Sequence, residues 1–388
     1  MSFESMWSAL QPIGRNAQTG GYRRFAWTTE DALLREWFAA EAAARGLDLV
    51  TDQAGNQWAW WGDPDATPGV VTGSHLDSVP DGGAFDGPLG VVSAFAALDA
   101  LRDKGFRPAR PIGVVNFGDE EGARFGVACA GSRIITGALE PRNLTDADGV
   151  TLAEAAARAG HDPQRFGRDD ETLRRIGTFI ELHVEQGRGL VDLGRPVAVG
   201  SSIWPHGRWR LHLAGEANHA GTTRLADRHD PMLALASVIT AARQEAERRS
   251  CVATVGKVRV EPNGVNAIPS AVHAWLDARG PDEAAVRAVA AAVGTAAGAP
   301  IAEESFTPDT AFDMSFVKRL AVLLDDAPVL GTGAGHDAGI LASAGIPAAM
   351  LFVRNPTGVS HSPAEHAETA DCFVGVDALA AVLEDLAG

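Results

Sequence analysis

The chain has 388 residues and a formal net charge of −17, from 33 Lys+Arg against 50 Asp+Glu. That acidity argues against nucleic-acid binding, which needs clustered Lys/Arg at phosphates, and the lack of any 18-residue apolar run argues against a membrane span. With 46% hydrophobic and 21% charged residues, the composition is that of a soluble globular protein long enough for two or three domains.

The opening MSFESMWSALQPIG has no basic segment leading into an apolar core, so it does not read as a signal peptide. Residues 30–45 carry helical periodicity, and Gly46 suits the stop after them. LDLVTDQAGNQWAWWG reads as two strands around the turn-forming Ala54-Gly55-Asn56. GVVTGSH predicts a buried strand ending at His75, and residues 88–104 predict a helix with Pro88 at its start and Gly105 after its end. PIGVVNFG is a further buried strand, running directly into Asp119-Glu120-Glu121, and TFIELHVE near 178–185 is another. This alternation predicts an α/β core with a mixed or parallel sheet.

The pattern changes near residue 205. RWRLHLAGE, VATVGKVRVEP and AVHAWLDAR alternate like strands, and two long helical stretches separate and follow them. A small α+β sandwich is expected over 205–312. The α/β pattern then resumes with helices at 314–325 and 336–344, strand AAMLFV and a last helix at 375–387. The reading is one domain, 1–204 plus 313–388, interrupted by another. Cys129, Cys251 and Cys372 are isolated and form no CxxC, which reads as unpaired thiols in a reducing, cytoplasmic setting.

Polar residues recur just beyond the predicted strands, where open α/β sheets build their sites. They are His75 and Asp77, Asp86 in DGGAFDG, Asp119-Glu120-Glu121, His183 and Glu185 in ELHVEQG, and His361 in GVSHSP. Taken singly, such a histidine is ordinarily a satisfied structural side chain and such an acidic run a solvated loop. The recurrence at successive strand ends is what singles them out. His75, His183 and His361 with Asp86 and Glu121 would suit two ions of Zn, Mn, Co or Ni, one carboxylate bridging. Glu120 would then be free to act as general base, and Asp77 could hold the His75 ring through its second nitrogen. GTGAGHDAG is glycine-rich and opens a helix, so it could cradle an anion, but it lacks the P-loop Lys-Ser/Thr. HExxH and GxSxG are missing, and the three lysines lie in no glycine- or histidine-rich motif.

The segments GSHLDSVPDGGAFDGPLGV, FGDEEGARFG, ELHVEQG, GEANHAGTTRLADRHD, GAGHDA and GVSHSPAEH together resemble the allantoate amidohydrolase / N-carbamoyl-L-amino-acid amidohydrolase group of the aminoacylase- and carboxypeptidase-like dinuclear metallohydrolases. The resemblance runs in order from about Gly14 to the C-terminus. It implies a mixed-sheet α/β catalytic domain with an inserted lid and dimerisation domain, two divalent metal ions per subunit, and a homodimer acting on a small ureido carboxylate. By the same resemblance His75, Asp86, Glu121, His183 and His361 are the metal ligands, with Asp86 bridging. Glu120 is the general base and Asp77 the orienting carboxylate. Gln186, His229, Asn266, Arg279 and the backbone of Gly358 contact substrate. His219 stabilises the oxyanion, contributed across the dimer. A dinuclear aminopeptidase, dipeptidase or aminoacylase, and a binding protein that kept the fold without its catalysis, are the alternative expectations. The chain departs from the usual pattern at Arg224-Leu225, where Pro-Met is common, and in Ala267-Ile268 of GVNAIP. Both changes bear on the substrate pocket and leave the ligand set intact.

Overall fold

The computed structural model of the chain describes residues 2–388. They divide into two compact units. One runs to Ser202 and resumes over Ala311–Gly388, and the other is Ile203–Thr310.

The first unit is built on a mixed sheet with a parallel centre. Gly69–His75 lies between Ile112–Phe117 and Ile176–Val184, parallel to both, and Ala348–Val353 adds in parallel beside Ile176–Val184. Antiparallel strands flank this centre. The hairpin of Asp48–Thr51 and Gln57–Trp61 pairs onto Ile112–Phe117, and Val197–Ile203 pairs onto Ala348–Val353. The four central strands are buried along nearly their whole length, as both faces of a parallel sheet must be. That is why they read as continuous apolar runs rather than alternating ones. Being parallel, they end on the same side, so the residues following each emerge along one edge of the sheet.

Helix Pro88–Asp103 packs on the sheet and against helix Thr369–Ala387. Its entry is made by Gly87, at φ 84°, where a Cβ would lie 2.5 Å from the His75 ring. Glycine here lets the helix start descend directly onto that imidazole. The last helix begins at Thr369, six residues before the expected 375. Gly375 is an interior residue, not a boundary: a Cβ there would stand 2.5 Å from Val353 Cγ2, so glycine brings the helix against the sheet. In sequence a close-packing glycine and one at a helix boundary look alike, so the expected start at 375 falls inside the helix.

The turn of the first hairpin is held by one buried carboxylate. Asp52 Oδ1 accepts the N–H groups of Ala54 and Asn56, and Oδ2 accepts Asn56 Nδ2 and Trp58 Nε1, all at 2.8–2.9 Å. Asn56, so oriented, accepts the Gly118 N–H at 2.9 Å through Oδ1. The hairpin thus fixes the start of the Gly118–Glu121 loop.

The second unit is a four-stranded antiparallel sheet in the order Ile301–Thr307, His206–Ala214, Ala271–Arg279, Val252–Glu261. Helices Pro231–Arg248 and Glu283–Ala297 cover one face. Leu211, Leu213, Val272, Leu276, Val238, Val286, Val289 and Val293 interdigitate between them. The alternating burial of His206–Ala214 matches the alternation in its sequence. A short ribbon, Asn218–His219 with Ala267–Ile268, carries His219 and begins its second strand directly after Asn266. All three cysteines are unpaired. Among the described residues no helix is long and apolar enough to cross a membrane.

Replacing Asp52 with Asn should lower the unfolding free energy by roughly 2–4 kcal/mol, because whichever way the amide turns, one buried pair of donors meets an NH2 group. Urea unfolding of the purified variant measures this, and an unchanged midpoint at unchanged slope would contradict the clamp.

Candidate metal centre

The strand ends bring His75, Asp77, Asp86, Glu120, Glu121, His183, Gln186 and His361 together at one edge of the first unit. Asp86 is the hinge of the arrangement. Its Oδ1 lies 3.1 Å from His183 Nε2 and 3.5 Å from His75 Nε2, and its Oδ2 lies 3.4 Å from His361 Nε2. His361 Nε2 is in turn 3.7 Å from Glu121 Oε2. Two triads result, His75–Asp86–His183 and Asp86–Glu121–His361, each with its ligand atoms within 4.8 Å of one another.

The histidine tautomers suit a cation. His183 Nδ1 lies 2.9 Å from the Val184 carbonyl, and His75 Nδ1 lies 3.2 Å from the Asp77 carbonyl. An N–H at each Nδ1 makes these bonds and leaves the Nε2 lone pairs aimed at Asp86, the arrangement that orients metal-ligating imidazoles. His75 Nε2, His183 Nε2 and Glu121 Oε1 are buried with no hydrogen-bond partner. Acceptors turned toward acceptors in a buried site call for a positive charge between them, so the donor set fits divalent ions.

The same crowding of carboxylates favours protons on the imidazoles. Burial alone would push His75 down, but Glu120, Asp77 and Asp86 around it raise it well above the usual imidazole range. His361 is raised to about 9, chiefly by its hydrogen bond to Asp86. Burial acts to raise Asp86, yet His183, His361 and His75 together hold it well below the usual carboxylate range.

Glu120 sits beside the triads and belongs to neither. Its Oε2 is 3.7 Å from His75 Nε2, and its Oε1 accepts from the Cys129 thiol at 3.3 Å. Burial is the main reason it lies well above the usual carboxylate range; Asp337, Glu121 and Asp77 add to this and His75 opposes it. Asp77 has more to hold than the His75 ring. Its two carboxylate oxygens accept the backbone N–H groups of Glu120 and Glu121 at 3.1 and 3.0 Å, fixing the acidic loop, in which Asp119 turns through φ 55°. Gln186 donates to Asp86 Oδ2 at 2.8 Å and to Ser360 at 3.0 Å, leaving its own Oε1 buried without a partner. Gly358 spends its N–H on Asn355 Oδ1 at 3.0 Å, so its carbonyl is the group left for a ligand. Glu185 serves the fold, accepting the N–H groups of Gly189 and Leu190 at the start of a short helix.

His219, His229, Asn266 and Arg279 lie in the second unit. His219 is exposed on the short ribbon, and its Nδ1 accepts the Gly221 N–H at 3.0 Å, which places the imidazole proton on Nε2. Asn266, also exposed, accepts the Ala220 N–H at its carbonyl. His229 is exposed. Arg279, at a strand end, is engaged by Asp277 through Nε at 2.8 Å and Nη2 at 3.1 Å.

Two residues at the centre were not singled out from the sequence. His336, in GAGHDA, is buried with its ring centroid 4.5 Å from that of His183, and forms a third group with Glu181 and His183. The helix start beside it does not await an external anion, because the Ala338 N–H already donates to Glu181 Oε2 at 3.0 Å. Glu365, in SHSPAEH, is buried against the Asp86 loop. The signal for both was a titratable residue inside a glycine- or proline-punctuated motif, whose burial the sequence does not show.

Loading the metal-free protein with Zn2+ or Mn2+ near pH 7 should release protons, because the imidazoles that hold them must give up their lone pairs. Apparent affinity should therefore rise from pH 6 to pH 8. Calorimetry in buffers of different ionisation enthalpy reads the release directly, and a pH-independent affinity would contradict it.

A family model described as peptidase family M20/M25/M40 matches residues 71–385. The chain is 37% identical over 396 residues to the N-carbamoyl-L-amino acid amidohydrolase of Geobacillus stearothermophilus, covering 97% of this chain and 96% of the relative. It is 32% identical over 390 residues to the allantoate amidohydrolase of Escherichia coli (strain K12), covering 95% and 93%. A solved amidase of the hydantoinase/carbamoylase family from Burkholderia multivorans matches with a TM-score of 0.85 at 29% identity, covering 100% of this chain and 98% of that one. With the match spanning every strand end that contributes to the two triads, this chain belongs to the peptidase family M20/M25/M40.

Proposed function

We propose that this protein is a metal-dependent amidohydrolase that cleaves the ureido (N-carbamoyl) C–N bond of a small carboxylate, with allantoate or an N-carbamoyl-L-amino acid as substrate. The observation that carries the reading is Asp86 facing two ligand triads through its two oxygens, with Glu120 beside them and committed to neither. The activities for which the relatives are named support the substrate class.

Two divalent cations, one per triad, would polarise the ureido carbonyl and acidify a shared water, and a nitrogen and oxygen donor set without thiolate suits Zn, Mn, Ni or Co. Glu120 takes the proton of the attacking water and returns it to the leaving nitrogen. The Cys129 thiol holds one oxygen of that carboxylate, so the other is presented to the site. Gln186 Oε1, an acceptor without a partner, suits a ureido N–H. His219, with its proton on Nε2, is the right donor for a developing oxyanion. Arg279, Asn266 and His229 hold the carboxylate end, Arg279 as its planar cation, and the Gly358 carbonyl accepts a substrate N–H. The carbamate product breaks down to CO2 and ammonia or an amine.

The working form is a cytoplasmic homodimer joined through the inserted unit. Val252–Glu261 is an edge strand with Val252 and Val258 exposed, and Leu233 and Ile239 lie exposed on the helix that packs beside it. An open edge next to apolar side chains suits a second copy of the chain.

Glu120→Gln should retain bound metal and lose kcat by roughly 10²–10⁴-fold; near-normal turnover would remove Glu120 from the base role. An ammonia-release assay over N-carbamoyl, N-acyl and dipeptide compounds, with and without chelator, should show turnover of ureido substrates alone and only with metal. Cleavage of dipeptides or N-acyl amino acids instead would transfer the protein to the peptidase or aminoacylase reading. Mixing inactive His219→Ala and Glu120→Gln subunits should restore activity by pairing an intact base with an intact histidine across the dimer, and a mixture as dead as its components would place His219 elsewhere.

A further inference from the structure

Glu365 joins two loops that lie far apart in the chain. Its Oε1 accepts the backbone N–H groups of Phe85 and Asp86 at 2.8 and 2.9 Å, across sequence separations of 280 and 279 residues. Its Oε2 accepts the Ser360 hydroxyl at 3.2 Å, and Ser360 Oγ also lies 3.3 Å from Asp86 Oδ2. Ser360 precedes His361, so one carboxylate grips both the residue that bridges the triads and the loop that delivers the last ligand. Two further facts mark the contact as built. Glu365 is 5% exposed, and Gly83 leaves it room, since a Cβ at that position would lie 2.4 Å from both Glu365 Cβ and Oε1. Placing a buried carboxylate beside Asp86 carries a like-charge and desolvation cost, which the fold accepts in return for these hydrogen bonds.

We propose that Glu365 is a positioning residue that couples the Asp86 loop to the His361 loop, sets the spacing of the Asp86–Glu121–His361 triad, and so governs the binding of the cation held there. The inference rests on the reading that the triads bind metal. His75–Asp86–His183 has its two histidines on neighbouring buried strands, whereas His361 stands on a loop, at φ 54° and half exposed. The second triad therefore depends on a tether in a way that the first does not.

The test compares the full-length protein with Glu365→Ala, Glu365→Gln and Ser360→Ala, each stripped and reloaded with Mn2+ or Zn2+. Bound metal is counted after gel filtration, and both affinities are titrated against a chelating indicator. Circular dichroism confirms that each variant is folded. The wild type should bind two ions. Glu365→Ala should keep one affinity and lose about 10–100-fold in the other, the range seen when an outer hydrogen-bond partner of a metal ligand is removed. Ser360→Ala, a change that leaves no charge unpaired and guards against misfolding of the first variant, should lose about 10-fold in the same affinity. Glu365→Gln keeps acceptors for both backbone N–H groups and should stay within a few-fold of wild type. Equal losses in the Gln and Ala variants would mean that charge and not position is what matters, and would overturn the proposal. Two unchanged affinities in Glu365→Ala would overturn it alone. A wild-type chain that binds no divalent ion would overturn the metal reading and this inference together.

Discussion

A single carboxylate, Asp86, has to face two groups of ligands at once, and much of the first unit is organised to hold it there. A carboxylate can serve two centres only if its plane is fixed, because each oxygen has to stay aimed at its own group. Its backbone is gripped by Glu365, its Oδ2 by Gln186, and its Oδ1 is flanked by two imidazoles whose own orientation is set by carbonyl groups. Those imidazoles stand on neighbouring parallel strands. A register slip of one residue would turn His75 or His183 to the opposite face of the sheet, so the pairing of Gly69–His75 with Ile176–Val184 is as much a part of the site as the ligands are.

The same constraint accounts for an electrostatic arrangement that would otherwise be unfavourable. Asp77, Asp86, Asp119, Glu120, Glu181, Asp337 and Glu365 are all buried in this region. Some are compensated by the fold: Asp77 by two backbone N–H groups, Glu181 by Ser74 and the Ala338 N–H. Others are not, and burial raises Glu120 and Asp119 well above the usual carboxylate range. In the proposed metal-loaded state two divalent ions would offset the excess locally. The rest of the chain's net charge of −17 lies outside this cluster and favours solubility.

Much of this was readable in the sequence, for identifiable reasons. The central strands announce themselves as short apolar runs, and polar side chains recur at or after their ends, so the α/β core and the neighbourhood of the candidate ligands could be read from pattern. What escaped were features that depend on contact rather than period. Gly375 looked like a boundary because nothing in a linear pattern distinguishes a glycine that ends a helix from one that lets it approach Val353. His336, at the start of an expected helix, and Glu365, in a proline-marked loop, carried no sign of burial because the segments that bury them lie more than 150 and about 280 residues away. The place of Asp77, two residues past His75, speaks only for a support of that ring, since its grip on the Glu120 and Glu121 amides requires two loops to meet. The tautomer of His219 likewise follows from a backbone amide, which no side-chain pattern records.

The distance in sequence between Asp86 and Glu365 also has a consequence for how the protein is made. A nascent chain emerges from its N-terminus and folds domain by domain. The first triad can close once His183 has been synthesised, while the second must wait for His361, after the whole Ile203–Thr310 unit has intervened. During that interval Asp86, Glu120 and Glu121 exist without their last histidine and without the Glu365 tether. The centre is therefore completed late in synthesis, and a chain truncated before residue 361 would carry the acidic side of the site without the loop that balances it.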